Sequence, residues 1–337
     1  MTIPSWLLAI LGLDAVLRDG TSVVVRDRTL IMHEGILRAP VVQSASQRQT
    51  EESFAYKWAQ RSTFESPAFL ARVRQWLEQR YGRMDQVSWL PDDGSKALVL
   101  DAGCGAAASA LELFEPVLDR ISYLGVDVST AVDVAAARFA TKKIDAGFLQ
   151  CDLGDLPFAP GTFDLIFSEG VLHHTDSTER ALKALVPLLK PGGRFMFYVY
   201  HRKGPIREFS DDYVREKLQE LTPEQAWQAM YPLTKLGRIL GDLNIEIDVP
   251  ETIDLLEIPA GKINLQRLFY WHVLKAFHDP ALTLDELNHI NFDWYAPRNA
   301  HRQTPEQVRA WCADCGLVIE REIVEPAGIT IIGQLQG

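Results

Sequence analysis

An acidic residue followed by two glycines lies between an apolar run and a helical pattern. Val99 to Asp101 predicts the end of a buried strand, and Gly103, Cys104 and Gly105 predict a turn whose backbone can approach a ligand closely. A dinucleotide-binding loop would instead read G-x-G-x-x-G and present a helix N-terminus to a pyrophosphate. An acid before the glycines repels phosphate and suits the cationic amino-acid end of a ligand. A plain tight turn is the alternative interpretation.

Two further acids follow apolar runs at strand-like spacing. Asp127 ends the second run, next to Val128, and can accept hydrogen bonds from both hydroxyls of a ribose. Asp152 ends the third run, between Cys151 and Leu153, and can accept one from an adenine amine while Leu153 offers backbone contacts. The alternative for Asp127 is a surface residue that caps the next helix.

The fourth and fifth apolar runs end in residues that can bind or transfer protons. Ser168 and Glu169 end the fourth run, and we expect them near the ligand. Four titratable rings follow these two runs: His173, His174, Tyr200 and His201. Histidine titrates near neutral pH and is therefore a candidate general base. The alternatives are that the histidines only shape the pocket and that Tyr200 and His201 only terminate a strand.

These residues require a scaffold that brings strand ends together. From Ala97 to Tyr200 short apolar runs alternate with helical patterns, which predicts a parallel sheet with right-handed crossovers. In such sheets ligands bind beyond the carboxyl ends of the strands. The acids and the glycine turn should therefore meet at one edge of the sheet.

Other segments should cover that edge. After His201 the alternation stops, and about 100 mostly helical residues intervene before a last helix and two strands. We predict capping boxes at three threonines of this half: Thr222, Thr283 and Thr304. Ser66 and Pro67 predict a helix start, and the polar stretch 43–52 predicts a linker. The predicted divisions are 1–90 as a helical N-terminal extension over the site, 91–200 as the ligand-binding half of the core, 201–300 as a helical lid, and 301–337 as the elements that complete the core.

Taken together, the five segments of residues 97–200 resemble the class I S-adenosylmethionine-dependent methyltransferases, in particular bacterial small-molecule members with an N-terminal extension and a helical lid. Each motif is weak alone, and their order and spacing are specific in combination. The resemblance implies a doubly wound, seven-stranded Rossmann-like α/β sheet and S-adenosylmethionine as cofactor, with S-adenosylhomocysteine as product. It implies that Asp101, Gly103 and Gly105 hold the methionine part, Asp127 the ribose and Asp152 the adenine. Ala107 replaces a frequent third glycine of the family.

Outside that span the resemblance is thinner. Glu52 to Trp58 looks like a segment that precedes the core in some bacterial members, and Phe292 to Pro297 looks like their closing part. Aromatic rings can stabilise a sulfonium by cation–π contact. The substrate candidates are therefore aromatic or basic residues of these segments: Tyr56, Trp58, Trp294, Tyr295 and Arg298. The alternatives are that the rings only pack helices and that the charges only solvate a helix face.

The resemblance implies in-line displacement at the sulfonium methyl by a small-molecule oxygen, nitrogen or carbon nucleophile. Most catalysis should come from positioning, with a histidine base where the nucleophile carries a proton. Two alternatives remain open: an enzyme that uses the same cofactor for another reaction, such as intramolecular displacement or cyclisation, and a non-catalytic cofactor-binding partner subunit. A nicotinamide-dependent oxidoreductase is disfavoured because the acid precedes the glycines.

Composition limits the partners and the compartment. The 337 residues carry a net charge of -11, which disfavours a nucleic-acid substrate. Four cysteines are too few for a disulfide framework, and the single Cys312/Cys315 pair lacks the second pair of a zinc site, so we expect no metal and a cytoplasmic protein. The apolar run Ile3–Leu17 is too short to cross a bilayer and predicts a helix packed on the domain or on a partner subunit, which leaves a homodimer open.

Overall fold

One mixed sheet of ten strands forms the centre of the computed structural model, which describes residues 3–14, 17–40 and 42–337. The strands are β1 (Ser22–Val25), β2 (Arg28–His33), β3 (Ile36–Arg38), β4 (Ala97–Ala102), β5 (Ile121–Asp127), β6 (Ala146–Gln150), β7 (Phe163–Glu169), β8 (Leu189–Tyr200), β9 (Glu246–Val249), β10 (Gly261–Asn264), β11 (Leu317–Val324) and β12 (Gly328–Leu335). Their order in the large sheet is β1-β2-β3-β6-β5-β4-β7-β8-β12-β11, and β9 and β10 form a separate hairpin.

Eleven α-helices are present among the described residues. They are α1 (Ser5–Leu11), α2 (Ala45–Ala59), α3 (Pro67–Tyr81), α4 (Ala108–Phe114), α5 (Ala131–Thr141), α6 (Thr178–Leu185), α7 (Pro205–Leu218), α8 (Pro223–Leu243), α9 (Leu265–His272), α10 (Leu284–Tyr295) and α11 (Pro305–Asp314). Within the described ranges, none of the helices is long and apolar enough to cross a membrane. The same ranges contain no group of three or more side chains that could hold a metal ion.

The predicted doubly wound α/β sheet is confirmed. Strands β4 to β8 are mutually parallel in the order β6-β5-β4-β7-β8, so the chain starts in the middle and winds outward in both directions. The sequences of these strands are mostly apolar because helices cover both faces of the sheet. Two separate clusters of buried apolar side chains lie on the two faces. The antiparallel strands β12 and β11 follow β8, and with β1 to β3 at the other edge the sheet has ten strands, where seven were expected.

The N-terminal extension, expected to be largely helical, contains strands as well as helices, and the apolar run Ser22 to Arg26 is the sequence signal for the first of these strands. Residues 22–38 form the antiparallel strands β1 to β3, and β3 continues the sheet by pairing parallel to β6. The helix predicted over Ile3–Leu17 is shorter: α1 ends at Leu11 because Gly12 takes a left-handed conformation (φ 69°). Positions 15 and 16 of that stretch lie outside the described residues.

The stretch predicted as a linker is part of a helix. Ser44 accepts a hydrogen bond from the amide of Gln47 and starts α2 at Ala45, so residues 45–52 are helical. The predicted start of α3 at Pro67 is confirmed, with Ser66 as its cap. Helix α2 contacts α5, α8 and α10, and therefore connects the core to the insertion.

The insertion after β8 contains α7 to α10 and the β9–β10 hairpin, so it is largely but not wholly helical. The three predicted capping boxes are confirmed at the starts of α8, α10 and α11, where a threonine and the Gln or Glu three residues later cap each other. Such caps fix where each helix begins. Helix α10 packs against α8, α7 and α2, which brings the end of the insertion to the carboxyl ends of the strands.

Candidate active site

A cavity of about 500 Å³ lies at the carboxyl ends of the parallel strands. It is covered by α2 and α3 from the N-terminal extension and by α9 and α10 from the insertion. The residues predicted from the sequence that line it are Gly103, Gly105, Asp127, Val128, Asp152, Leu153, Glu169, His174, Tyr200, Trp58 and Trp294. Its volume is in the ordinary range for small-molecule sites.

The glycine turn is shaped by two side chains that press on it. Gly103 has φ 86°, and a Cβ there would lie 2.2 Å from Cγ1 of Val171. Gly105 has φ 50°, and a Cβ there would lie 2.7 Å from Nε1 of Trp58. Both positions therefore require glycine for conformation and for space. Ala107 also has a positive φ, of 53°, and precedes the first turn of α4.

Asp127 holds this turn in place. Its carboxylate accepts hydrogen bonds from the amide of Gly105 (2.8 Å) and from the amide and hydroxyl of Ser129 (2.9 and 2.6 Å). Burial raises the pKa of Asp127, while these donors oppose the shift. The side chain also faces the cavity, so the cap and ligand interpretations are compatible at this residue.

Asp152 lies on the same rim. Its Oδ1 accepts from the amide of Gly154 at 2.7 Å, which fixes the turn containing Leu153. Parallel pairing places Gln150 opposite Asp127, so Asp152 is two residues farther toward the cavity mouth. The two acids thus follow adjacent strands with an offset of two residues, and both line the cavity, as binding to neighbouring parts of one ligand requires.

Asp101 does not line the cavity, although it also lies near a strand end. In the pairing of β4 with β5 it is level with Gly125, two residues before Asp127, which places it about 6–7 Å deeper in the sheet. Its carboxylate accepts from the hydroxyl of Tyr123 at 2.5 Å. Burial raises the pKa of Asp101 to about 7, although that hydrogen bond opposes the shift. In this structure Asp101 is held within the core, and its expected contact with the cationic end of a ligand stays a prediction.

Three other cofactor candidates are also directed into the core. Cys104 is buried against Gly125, where its Sγ would lie 3.1 Å from an added Cβ. Cys151 is buried in one of the two apolar clusters. The hydroxyl of Ser168 donates to the carbonyl of Ala102 at 2.8 Å and links β7 to β4. Because strand side chains alternate between faces, a strand end does not by itself direct a side chain to the ligand.

Glu169 lines the cavity at the end of β7, where two residues of α3 hold it. The guanidinium of Arg80 pairs with one carboxylate oxygen, and the hydroxyl of Tyr81 donates to the other at 2.5 Å. Arg80 also lies over the ring of Tyr198, 3.9 Å from its centroid. Helix α3 is thus attached to the rim by a charged contact.

A buried ion pair crosses the middle of the cavity. The ammonium of Lys57 on α2 pairs with Asp293 on α10, and the hydroxyl of Tyr200 donates to the same carboxylate at 3.1 Å. Burial lowers the pKa of Lys57. Although burial acts in the opposite direction on Asp293, the Lys57 ammonium holds the pKa of that carboxyl well below its usual range. Burial raises the pKa of Tyr200 far above normal, so this phenol is a hydrogen-bond donor and not a base.

Of the three histidine candidates, one faces the cavity. Nδ1 of His174 lies 2.5 Å from the carbonyl of Asn299, which assigns the proton to Nδ1. Its Nε2 is buried and has no hydrogen-bond partner among the described residues. Burial lowers the pKa of His174 to about 4, so the ring is neutral at neutral pH with an available lone pair.

The other two histidines lie outside the lining. His173 is fully buried and stacks on Tyr200, with ring centroids 3.7 Å apart, because the turn 172–174 directs it inward. His201 is half-buried at the sheet edge, where its Nδ1 lies 3.2 Å from the carbonyl of Glu325. Neither reaches the cavity, so their assignment as catalytic residues is corrected.

Some of the substrate candidates line the cavity and others lie outside it. Trp58 lies over the glycine turn, and Trp294 contacts Tyr200 with ring centroids 4.3 Å apart. Tyr56 instead packs on the outer side of α2 against Trp227. The three residues placed outside the lining are Tyr56, Tyr295 and Arg298. Tyr295 is fully buried behind Trp294, and Arg298 is exposed and contacts Gln49 through its backbone amide.

The sequence interpretation missed several charged residues of the cavity. Lys57 and Asp293 lie inside the aromatic segments that had been singled out, next to Trp58 and Trp294. A single charge within an aromatic helical segment was the available signal. The other charged residues of the cavity that were missed are Glu51, Arg72, Arg80, Lys203, Arg207, Arg267, Lys275 and Glu325.

Comparison with known proteins gives one family match. A model described as "Methyltransferase domain" matches residues 100–197. Probable tRNA methyltransferase 9B of Mus musculus is 33% identical over 125 residues, which are 36% of this chain and 26% of that protein. Uncharacterized methyltransferase YcgJ of Bacillus subtilis is 29% identical over 148 residues, which are 41% of this chain and 56% of that protein. The chain thus spans about a quarter of the first relative and about half of the second.

Among solved structures, the Burkholderia thailandensis 1,6-didemethyltoxoflavin-N1-methyltransferase with bound 1,6-didemethyltoxoflavin and S-adenosylhomocysteine is similar at a TM-score of 0.45. The sequences are 14% identical, and the match covers 92% of this chain and 96% of that chain.

Proposed function

We propose that this chain, whose residues 100–197 are a class I S-adenosylmethionine-dependent methyltransferase domain, transfers the methyl group of that cofactor to a small organic nucleophile held in the cavity. One observation carries the proposal. Asp127, Asp152 and the glycine turn line one end of a cavity that continues into an aromatic and basic end formed by the insertion. The first end can bind the cofactor, and the second end can bind a substrate.

The side chains present fit the cofactor. Asp127 can accept hydrogen bonds from the ribose hydroxyls, and Asp152 can accept from the adenine amine. Gly103 and Gly105 leave the backbone open to the methionine part. Acidic residues at this end also complement the positive charge of the cofactor: Glu51, Asp127, Asp152 and Glu169. When bound, the cofactor supplies an electrophilic methyl group on a sulfonium sulfur.

The chain contributes positioning and exclusion of water. Trp58 covers the glycine turn, and α10 closes the cavity from the insertion side. Nε2 of His174 can accept a hydrogen bond from a hydroxyl or amine nucleophile and so orient its lone pair. Because burial keeps the pKa of His174 near 4, the ring orients the nucleophile and does not retain its proton at neutral pH.

The choice of a small molecule over RNA rests on charge and enclosure. Relatives named tRNA methyltransferases match only part of this chain, and a net charge of -11 opposes contact with phosphates. The proposal is tested by incubating the protein with methyl-labelled cofactor and either total tRNA or a tRNA-free small-molecule extract. Label in the small-molecule fraction is expected, and label in tRNA alone would contradict the small-molecule substrate.

We expect the purified protein to bind S-adenosylhomocysteine with a dissociation constant in the micromolar range or tighter, about -8 kcal/mol or better. The physical reason is that several polar groups at three adjacent strand ends converge on one ligand. Isothermal titration calorimetry measures this directly. Absence of both heat and a thermal shift with a folded protein would contradict the proposed cofactor.

We expect Asp127→Ala to weaken that binding by about 1–3 kcal/mol, because charge-assisted hydrogen bonds to ribose are lost. Asp152→Ala should cost less, since adenine also gains stacking and backbone contacts. The control is Asp119→Ala, which removes the same charge from an exposed turn before β5. If Asp127→Ala binds as tightly as the Asp119→Ala control, Asp127 only caps the turn.

A further inference from the structure

Charged side chains are unevenly distributed along the cavity. Asp127 ends β5 and Asp152 follows β6, whereas four basic residues lie after β8 and on the insertion. Three strand spacings separate β5 from β8, which is about 14 Å. The basic set consists of Lys203, Arg207, Arg267 and Lys275. A cationic cofactor at the acidic end therefore leaves a basic end for the substrate.

Most of the buried bases around this end have partners in the protein. Arg207 pairs with Asp211, with Nε to Oδ2 at 2.8 Å. Lys57 pairs with Asp293 in the middle of the cavity. The ammonium of Lys203 donates to two backbone carbonyls, one of them that of Ala327 at 2.9 Å. These contacts satisfy the bases without a ligand.

Arg267 and Lys275 have no such partner among the described residues, and of these two only Lys275 is buried. Lys275 follows α9, lines the cavity and is 8% exposed. Among residues 3–14, 17–40 and 42–337, no acceptor forms a hydrogen bond or ion pair with its Nζ. The Nζ of Lys275 lies over the face of Trp294, 4.9 Å from the ring centroid.

A buried ammonium with no anionic partner is costly, so such a group usually acquires a counter-charge or loses its proton. Burial lowers the pKa of Lys275 to about 7, with Asp293 acting in the opposite direction. The charged form is therefore still available at neutral pH. An anion bound in the cavity would offset the desolvation of the ammonium and complete the charge balance of this end.

The walls around Lys275 are flat and aromatic. Tyr198 and Tyr200 come from β8, Tyr270 from α9 and Trp294 from α10, and all four line the cavity. Arg80 and His173 already pack on the faces of Tyr198 and Tyr200, so a planar ring would contact these side chains mainly at their edges while its charged group reaches the ammonium. Edge contacts with aromatic rings still favour a planar ring over an aliphatic chain.

We propose that Lys275 binds the carboxylate of an aromatic carboxylic acid, which is the substrate class of this cavity. The statement that this acid is a substrate rests on the proposed methyl transfer. Binding of the carboxylate at Lys275 does not depend on turnover. The carboxylate lies at the basic end, and the ring extends along Tyr200 toward His174 and the cofactor end.

The test uses the full chain saturated with S-adenosylhomocysteine and two planar probes of nearly equal shape, 4-hydroxybenzoate and the neutral 4-hydroxybenzamide. Calorimetry should show that the wild type binds the benzoate at least about tenfold more tightly than the amide, a difference typical of one charge-assisted contact. Lys275→Met should abolish this preference, and Lys275→Arg should retain most of it. The control, Lys262→Met, removes an exposed lysine of the hairpin and should leave the preference unchanged.

The outcomes separate the two proposals. If S-adenosylhomocysteine itself does not bind, the proposed function fails. If it binds but the wild type does not prefer the benzoate, or does not bind it at millimolar concentration, the carboxylate subsite is wrong. Persistence of the preference in Lys275→Met would also overturn it, since that variant still binding S-adenosylhomocysteine shows that the core is folded.

Discussion

Replacing Asp211 with alanine is expected to lower the free energy of unfolding by about 3–5 kcal/mol, the range measured when one partner of a buried ion pair is removed. Asp211 on α7 is 1% exposed. Its carboxylate accepts hydrogen bonds from Arg207 Nε (2.8 Å), from Trp294 Nε1 (2.8 Å) and from the hydroxyl of Tyr295 (2.7 Å). Alanine would leave the buried guanidinium of Arg207 without its anionic partner, with the carbonyl of Tyr270 as its remaining acceptor, and would leave two buried donors without an acceptor.

The adjacent residue provides a matched control. Asp212 carries the same charge, but its side chain is half exposed, and its partners Arg215 and Arg302 keep other acceptors, the carbonyl of Trp294 and the carboxylate of Glu208. Asp212→Ala should therefore cost no more than about 1 kcal/mol. Urea denaturation of both variants measures the difference. Equal midpoints for the two variants would show that the buried network around Asp211 does not stabilise the insertion.

The same variant tests how the insertion relates to the cofactor. Trp294 and Arg207 line the basic end of the cavity, whereas the expected cofactor contacts come from residues 103 to 153. Under conditions where Asp211→Ala remains folded, turnover should fall strongly while affinity for S-adenosylhomocysteine stays within a few-fold. A parallel loss of both would indicate that the insertion supports the whole site.

Gly103→Ala is expected to destabilise the protein by about 2–5 kcal/mol and to weaken binding of S-adenosylhomocysteine at least about tenfold. A left-handed conformation costs a non-glycine residue about 1–2 kcal/mol, and overpacking adds about 1–3 kcal/mol. The new Cβ would lie 2.2 Å from Cγ1 of Val171, so the turn or the segment after β7 must move. Both carry residues that line the cofactor end, and thermal denaturation and calorimetry measure the two effects.

A second glycine separates the two causes. Gly161 has φ 69°, and an added Cβ there would meet nothing within 4 Å. Gly161→Ala should therefore show the conformational cost alone and leave cofactor binding unchanged. Adding Val171→Ala to Gly103→Ala should restore part of the lost stability. If Gly103→Ala behaves like Gly161→Ala, the contact with Val171 does not constrain the turn.

The cofactor end was largely predictable because its signals are local. Asp127, Asp152 and the glycine turn each follow a short apolar strand within about 50 residues of one another. In a parallel sheet with right-handed crossovers the carboxyl ends of such strands meet at one edge. The spacing of these residues in the sequence was therefore enough to predict that they lie close together. In the structure all of them line the cavity.

Side-chain depth was not predictable in the same way. Asp101 and Asp127 both lie near the ends of neighbouring strands, yet one is buried beside Tyr123 and the other faces the cavity. The register of β4 against β5 decides this, because a difference of two residues moves a side chain one pleat along the strand. Register depends on packing between strands, which a single sequence pattern does not state.

The basic end was decided by tertiary structure alone. Lys57 on α2 meets Asp293 on α10 across 236 positions of sequence, and Lys275 reaches the same cavity from the segment after α9. No spacing rule relates these positions, since each helix has its own cap and apolar face. Their side chains meet only because α2, α8 and α10 pack together over the sheet. The sequence thus determined where a cofactor can bind, and the packing of distant helices determined the charges that face its substrate.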